Sequence, residues 1–163
     1  MKVLVISAAY PPMHAGEATN TYHLCRQLTE RGIDIHVLTS VGNVGTDDPR
    51  IRVYPIMQTW GWLELLRVRC FLKNCSPDAV FLMYIGLIYK FHPMVTFLPT
   101  LSKGLFPNVP FVTRYESAFV GADPSKTGIV SRLFRKLMVQ WAGGKDVVYS
   151  SGTLLRDSDA VIA

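Results

Sequence analysis

Short apolar runs alternate with amphipathic stretches along most of the chain. Residues 2–7 form a short β-branched run typical of a buried strand, and residues 17–31 repeat their apolar positions with a helical period. Residues 33–39 alternate again, which predicts a second strand. The pattern continues, with strands predicted at residues 50–56, 78–85, 110–115 and 160–163 and helices at residues 62–74, 91–103 and 127–142. Pro55 favours a sheet edge for its strand, and Pro99 predicts a kink in its helix.

Strands that alternate with helices predict an α/β fold with a doubly wound parallel sheet. We expect residues 1–163 to form one Rossmann-like domain, because 163 residues suit a single domain and 49% of them are hydrophobic. Ligands of such sheets bind beyond the carboxyl ends of the strands. The loops to inspect are therefore residues 8–16, 40–49, 86–92 and 116–126.

Composition narrows the classes of partner. The net charge of +5 permits a phosphate-bearing ligand or an anionic membrane surface, whereas no basic block interleaved with aromatic residues predicts nucleic-acid binding. Cys25, Cys70 and Cys75 show no metal-binding spacing, and neither do the histidines, so we predict no metal and reduced thiols. We expect a cytoplasmic protein without signal peptide or membrane span, because the chain opens directly with a strand.

The first loop lacks the pattern of a dinucleotide-binding turn. Such a turn carries three spaced glycines, but here only Gly16 is available, and Pro11 and Pro12 lack the backbone N–H groups that cradle a phosphate. No acidic residue follows the second strand to hold a ribose, so we do not expect hydride chemistry on a nicotinamide cofactor. Gly16 either presents a helix N-terminus to one phosphate or sugar oxygen, or it is an N-cap whose neighbour Glu17 favours the helix dipole.

The first forty residues resemble a known family. Their pattern is similar to the start of family 4 glycosyltransferases of the GT-B fold. It consists of a strand, a proline-containing loop, a glycine that opens a helix, an Arg-Gly helix end and a second strand of the Val-x-Val-Leu-Thr kind. The matching pieces are Pro11–Pro12, Gly16–Glu17–Ala18, Leu28, Arg31–Gly32 and Val37–Leu38–Thr39. The closing stretch RDSDAVIA also resembles the end of that family's N-terminal domain.

The resemblance implies an acceptor-binding half of a two-domain enzyme. A C-terminal domain absent from this chain would bind a nucleotide-sugar donor. The whole enzyme would transfer the sugar with retention of configuration to a hydroxyl of a glycan or a lipid-linked acceptor, and it would need no metal or other cofactor. The resemblance therefore implies that the chain alone is inactive.

The resemblance also indicates site residues. Many members have a His followed by an acid after the fifth strand, and Tyr115 and Glu116 occupy what look like the matching positions. They are the expected catalytic pair, although tyrosine is a poor base because its ordinary pKa is about 10. The expected substrate-binding residues lie in or beside the loops at the same sheet edge: His14, Gly16, Glu17, Tyr84, His92 and Arg114. Ordinary alternatives remain for Glu116 as a surface acid, Tyr84 as a core residue and His92 as part of a helix start.

Two basic stretches indicate a contact with a membrane surface. Residues 60–74 combine Trp60 and Trp62 with basic side chains, and residues 127–142 add Arg132, Arg135, Lys136 and Trp141. A basic helix with interfacial tryptophans can lie on an anionic bilayer, which predicts peripheral binding to the inner membrane face. The alternative is a pair of surface helices that bury their apolar sides on the sheet.

A second function from another class stays open. The chain could serve as a non-catalytic Rossmann-like binding or interaction module, or as one subunit of a split enzyme. Tyr115 favours this alternative, because it stands where the family carries a histidine.

Overall fold

A computed structural model of the chain describes residues 1–44, 48–116, 128–141 and 153–163. The strands are β1 (Lys2–Ile6), β2 (Asp34–Ser40), β3 (Ile51–Met57), β4 (Ala79–Tyr84), β5 (Phe111–Tyr115) and β6 (Ala160–Ile162). The helices are α1 (Gly16–Glu30), α2 (Glu64–Cys75), α3 (Leu98–Leu105), α4 (Ile129–Trp141) and α5 (Leu154–Asp157), with a 3₁₀ helix at Pro93–Phe97.

The six strands form one parallel sheet in the order β3-β2-β1-β4-β5-β6. This order confirms the predicted α/β doubly wound, Rossmann-like fold. Pro55 lies in β3 at the edge of the sheet, as its missing N–H requires. The strands β2 and β3 follow β1 in sequence and lie on one side of it in the sheet. The later strands β4, β5 and β6 lie on the other side of β1. The gap between the carboxyl ends of β1 and β4 is therefore the point where the strand order reverses.

Apolar side chains on both faces of the sheet hold the helices in place. Leu4 and Ile6 of β1 point into one hydrophobic cluster, which α2 joins through Val68 and Leu72. The intervening residues, such as Val5, point into a second cluster on the opposite face, where α1 packs. Because both faces of the central strands are buried, these strands are continuous apolar runs.

Three element boundaries differ from the sequence predictions. Residues 91–103 do not form one kinked helix, because a 3₁₀ helix ends at Phe97 and α3 begins at Leu98. Pro99 lies in the first turn of α3, where its missing N–H has no helical partner to lose. α2 begins only at Glu64, and the short helix α5 was not predicted.

The two tryptophans of residues 60–74 are buried. Trp60 is 8% exposed and Trp62 is 7% exposed, and both belong to the hydrophobic core. The interpretation of their indoles as interfacial anchors is therefore wrong. Within the described ranges, no helix is both long and apolar enough to cross a bilayer.

Candidate functional site

A cavity of about 400 Å³ opens beyond the carboxyl ends of β1 to β4, next to the point where the strand order reverses. Its position matches the general rule for ligand sites in open parallel sheets. The residues that line it come from the loops after β1, β3 and β4 and from the last residue of β2: Ala8, Met13, Ser40, Gln58, Thr59, Trp60, Gly61, Ile88, Tyr89, Lys90 and His92. The volume suits a small organic ligand.

Tyr89 forms a fixed wall of the cavity. Its hydroxyl accepts a hydrogen bond from the backbone N–H of Ala8 at 3.3 Å and donates to the carbonyl of Met83 at 2.9 Å. The Trp60 ring meets the Tyr89 ring edge-on, with centroids 4.9 Å apart and an interplanar angle of 86°. Burial raises the pKa of the Tyr89 phenol far above its usual range, so the hydroxyl stays protonated and keeps donating.

A polar network fixes the part of the cavity wall that Ser40 and Trp60 form. The Trp60 indole N–H donates to the Ser40 hydroxyl at 2.9 Å, and this hydroxyl donates to the carbonyl of Ala8 at 2.9 Å. The Asn43 amide donates to the same carbonyl at 2.9 Å and to the hydroxyl of Thr39 at 3.0 Å. Because each of these polar groups is satisfied inside the protein, the wall is held before any ligand arrives.

The loop after β4 brings a cation to the rim. Lys90 and Phe91 both have φ of 52°, a left-handed conformation that L-residues adopt at a cost. The turn is closed by the N–H of Lys90, which donates to the carbonyl of Leu87 at 2.9 Å, and by that of Phe91, which donates to the carbonyl of Gly86 at 2.7 Å. Lys90 is exposed and is one of the residues that line the cavity.

His92 belongs to both the cavity and a helix start. Its Nδ1 accepts a hydrogen bond from the backbone N–H of Met94 at 3.2 Å and so caps the 3₁₀ helix. Burial lowers the pKa of His92 below its ordinary value of 6.5, which favours the neutral imidazole. The ring meets Trp62 edge-on at 5.5 Å. The helix-start alternative for His92 is therefore correct, and its place in the lining keeps the predicted ligand contact open.

The charges of the lining favour an anion. Of the described residues that line the cavity, none is acidic, and Lys90 supplies a positive charge. Glu64 lies directly behind the lining, where its carboxylate accepts from the N–H of Thr59 at 3.2 Å and pairs with Arg67 at 2.5 Å. The positive charge of Arg67 thus offsets the negative charge of the Glu64 carboxylate.

Tyr84 does not reach the cavity. It is 2% exposed and is stacked between two rings, with centroids 6.0 Å from Tyr89 and 5.5 Å from Tyr115. Burial raises the pKa of Tyr84 to about 12. The core alternative for Tyr84 is correct, and stacking of this ring on a ligand is excluded by its burial.

The expected catalytic residues lie two strands away from β1, at the end of β5. Tyr115 and Glu116 are half-buried and do not line the cavity, and Arg114 forms an ion pair with Glu116. The Glu116 N–H donates to the carbonyl of Tyr84 at 3.1 Å. Burial raises the pKa of Tyr115, so the phenolate that could act as a base is still scarcer near neutral pH. Roles for these three residues stay predictions, since most of the loop at residues 116–126 lies outside the described residues.

The start of α1 contradicts the interpretation of Gly16 as an N-cap residue. The N-cap residue is Ala15, and Gly16 is the first residue of the helix. The N–H of Ala18 donates to the carbonyl of Ala15 at 3.1 Å and is therefore already bonded. His14 is exposed and Glu17 half-buried, and neither lines the cavity. Binding by His14, Gly16 and Glu17 stays a prediction.

Sequence reasoning missed most of the lining. Gln58, Thr59 and Gly61 follow an edge strand and carry no recognisable motif. Trp60 was assigned to a membrane surface, although an aromatic residue directly after a strand end is also a signal for a pocket wall. Lys90 lines the cavity with a left-handed backbone conformation. Lysine rarely adopts this conformation, so the residue type did not predict the position.

The first loop does not fit a dinucleotide. Besides the two prolines, the N–H groups of Met13 and Ala15 are already bonded, to the carbonyls of Tyr10 at 3.1 Å and Met13 at 3.0 Å. At the end of β2, Ser40 stands where a ribose would need an acidic side chain, and its hydroxyl donates to Ala8. The residues present therefore do not form a pyrophosphate cradle.

No family model matches the chain, and no curated protein matches it. Among solved structures, dTDP-glucose 4,6-dehydratase from Bacillus anthracis in complex with NAD is 11% identical, with a TM-score of 0.48 over 88% of this chain and 51% of that one. The Bordetella bronchiseptica enzyme WbmH in complex with NAD⁺ is 14% identical, with a TM-score of 0.47 over 87% of this chain and 52% of that one. The chain thus spans about half the length of these structures.

The comparisons overturn the glycosyltransferase interpretation. The solved structures named above are NAD complexes of other enzymes, and no family model supports a GT-B acceptor domain or its nucleotide-sugar chemistry. The pieces that carried the resemblance, a first strand, a helix-opening glycine and an Arg-Gly helix end, belong to Rossmann-like domains in general, which explains the error. At these identities the likeness extends to the fold alone.

Proposed function

We propose that the chain is a Rossmann-like binding module for a small organic anion with a flat apolar body. The observation that carries this proposal is the cavity at the reversal of strand order, with Lys90 at its rim. The proposal develops the non-catalytic alternative that the sequence left open.

The shape and chemistry of the walls support a flat, apolar ligand body. Trp60, Tyr89, Ile88 and Met13 contribute apolar lining, and the first two are held rigidly by their hydrogen bonds. Burying an aromatic ring against such walls is favourable in proportion to the area removed from water. Fixed walls also reduce the entropy that binding must overcome.

The charge of the lining supports an anionic group on the ligand. Lys90 is the basic residue of the described lining, and no carboxylate that would repel an anion belongs to the described residues that line the cavity. A carboxylate or phosphate of the ligand would face Lys90, while its apolar part enters the cavity.

The arrangement of the polar groups favours binding over catalysis. A nucleophile needs a base within hydrogen-bonding reach, but the Ser40 hydroxyl donates its proton to a backbone carbonyl. The Nδ1 atom of His92 is occupied by the N–H of Met94. These two lining residues therefore hold the site together instead of forming an activated pair.

Two matched probes test the proposal: 2-naphthoate, a flat anion, and 2-naphthalenemethanol, its uncharged counterpart. We expect 2-naphthoate to quench tryptophan fluorescence saturably with a dissociation constant on the order of 0.1–1 mM, as ligand efficiency allows for its size. The alcohol should bind several-fold more weakly because it gains nothing from Lys90. Equal affinity for both probes would overturn the anion preference, and no saturable binding would overturn the proposed function.

Gly61 allows a matched pair of variants. A Cβ atom at Gly61 would meet Thr59 Oγ1 at 3.6 Å and His92 Nε2 at 3.9 Å, which are ordinary contacts. Gly61→Ala should therefore bind 2-naphthoate nearly as the natural chain does. Gly61→Leu extends a larger side chain into the cavity and should weaken binding at least tenfold. Equal binding by the two variants would place the probe outside the cavity.

A further inference from the structure

The His92 ring lines the cavity with one of its two nitrogens already bonded. The Nδ1 atom accepts a hydrogen bond from the backbone N–H of Met94 at 3.2 Å. A backbone N–H can only donate, so Nδ1 must present its lone pair to Met94. Because burial lowers the pKa of His92, the ring is neutral near neutral pH, and its single ring proton lies on Nε2. The bond from the backbone therefore fixes the tautomer of His92.

The Nε2 atom lies beside the open space at Gly61. From the point where a Cβ atom of Gly61 would lie, Nε2 is 3.9 Å away and Thr59 Oγ1 is 3.6 Å away. Gly61, Thr59 and His92 all line the cavity. Within the described ranges, Nε2 has no hydrogen-bond partner. The cavity thus offers a ligand an N–H donor at this point.

Two contacts hold the His92 ring in this orientation. The Trp62 ring meets it edge-on, with centroids 5.5 Å apart and an interplanar angle of 69°. Trp62 is 7% exposed and belongs to the hydrophobic core, so it is a firm support. A flip of the imidazole would also give up the bond from Met94. The donor is therefore in place before a ligand binds, which lowers the entropic cost of binding.

The two polar side chains beside Gly61 differ in what they accept from a ligand. The Thr59 hydroxyl can either donate or accept a hydrogen bond, so it adapts to both kinds of ligand atom. The His92 Nε2–H can only donate while Nδ1 is occupied. A ligand donor placed against Nε2–H would lose its hydrogen bond to water without replacement, whereas a ligand acceptor would gain a bond. His92 therefore selects for acceptors.

We propose that His92 is a specificity-determining residue, and that the ligand is a flat anion whose body carries a second hydrogen-bond acceptor against His92 Nε2–H. The inference rests on the proposed function, because it specifies the ligand of the same cavity. The acceptor is a ring nitrogen or a carbonyl oxygen, and the anionic group faces Lys90. Heteroaromatic carboxylates are thus preferred over purely hydrocarbon ones such as 2-naphthoate.

Long-range ¹H–¹⁵N correlation spectra of the imidazoles test the tautomer in the ligand-free chain. We expect a protonated Nε2 and an unprotonated Nδ1 for His92 at neutral pH, and His92→Asn identifies the signals because they disappear in that variant. A protonated Nδ1 or a charged ring would overturn the inference, while the proposed function would stand.

Quinoline- and isoquinolinecarboxylates test the acceptor at nearly constant shape. Their ring nitrogen replaces one C–H of 2-naphthoate, and one isomer exists for each ring C–H, so the set places the acceptor at every position around the body. We expect at least one isomer to bind roughly fivefold more tightly than 2-naphthoate, which is the factor that one additional neutral hydrogen bond supplies. The readout is the ratio of the two affinities.

Two variants identify the donor. In His92→Asn the side-chain oxygen can still accept from the Met94 N–H, but the side chain is too short to reach the place of Nε2. The affinity ratio should fall to about one in His92→Asn, and an equal loss for both ligands cancels in the ratio. Thr59→Val removes the neighbouring hydroxyl at almost constant volume and should keep the ratio. Circular dichroism checks that both variants retain the fold.

The other outcomes separate this inference from the proposed function. A ratio that persists in His92→Asn, or that falls only in Thr59→Val, would assign the preference to another group and overturn the inference. If every isomer bound no more tightly than 2-naphthoate, the inference would fall and the cavity would remain a site for flat anions. Saturable binding by none of these ligands would overturn both proposals.

Discussion

The hydroxyl of Tyr89 accepts a hydrogen bond from the backbone N–H of Ala8 at 3.3 Å. Because the same hydroxyl donates to Met83 at 2.9 Å, one side chain joins the carboxyl ends of β1 and β4 where the strand order reverses. The two hydrogen bonds fix the spacing between the chain segments that follow β1 and β4, where a doubly wound sheet has its crevice. This hydroxyl fixes the Tyr89 ring of the cavity wall, and the bond to Ser40 fixes the Trp60 ring.

Removing the hydroxyl should weaken both the fold and the site. Tyr89→Phe leaves a buried N–H and a buried carbonyl without this partner, which costs about 1–3 kcal/mol of unfolding free energy. Urea unfolding measures the loss, and a 2-naphthoate titration should show weaker binding. Tyr54→Phe is the control, because the Tyr54 hydroxyl forms its hydrogen bond, to His36 Nδ1 at a distance of 3.1 Å, outside the cavity. Unchanged probe affinity in Tyr89→Phe would mean that the wall does not need this hydroxyl.

Stability and binding should change in opposite directions at Lys90. Lys90→Gly relieves the left-handed conformation at φ of 52° and should raise the unfolding free energy by about 1 kcal/mol. It also removes the rim cation, so the affinity for 2-naphthoate should fall. Ser76→Gly, at φ of 45° after α2, should raise stability without any effect on binding. A Lys90→Gly protein that binds the anion as tightly as before would contradict the role of the ammonium.

The capping role of His92 predicts a dependence of stability on pH. Burial lowers the folded-state pKa below 6.5, so the unfolded chain binds more protons as pH falls through 6.5. Stability should therefore decrease from pH 7.5 to pH 5.5, as protonation also competes with the bond from Met94. His92→Asn keeps an N-cap acceptor without titrating in this window, and its urea midpoint should vary less. An identical pH dependence in both proteins would show that other groups cause it.

The first loop predicts that NAD⁺ does not bind. Pro11 and Pro12 offer no N–H groups, and those of Met13 and Ala15 are occupied by backbone carbonyls. Isothermal titration with NAD⁺ at millimolar concentration should show no saturable heat, while 2-naphthoate under the same buffer does. Saturable NAD⁺ binding would mean that this loop rearranges to free its N–H groups.

The sheet was predictable because its signals are local. The apolar runs at β1 and β4 are buried on both faces, so their sequence reports their environment directly. Pro55 likewise indicated the edge position of β3. The helix at residues 91–103 was less predictable, because Pro99 is compatible both with a kink and with the first turn of a new helix.

The site was less predictable because it depends on relations between distant residues. Ser40 and Trp60 meet through a hydrogen bond across two loops, and periodicity contains no information about that contact. Lys90 reaches the rim through a backbone conformation that lysine rarely adopts. The order of elements in a Rossmann-like domain is shared by many functions, so the resemblance of the first forty residues indicated a fold correctly and an activity wrongly.

Chemical-shift mapping of the ¹⁵N-labelled chain with 2-naphthoate tests the central claim most directly. The account predicts saturable shifts concentrated at the cavity, including the Ala8 amide, the Trp60 indole and the Lys90 amide. Gly61→Leu should abolish these shifts and Gly61→Ala should preserve them. Shifts that concentrate on α4, or that survive in Gly61→Leu, would contradict a ligand site at the reversal of strand order.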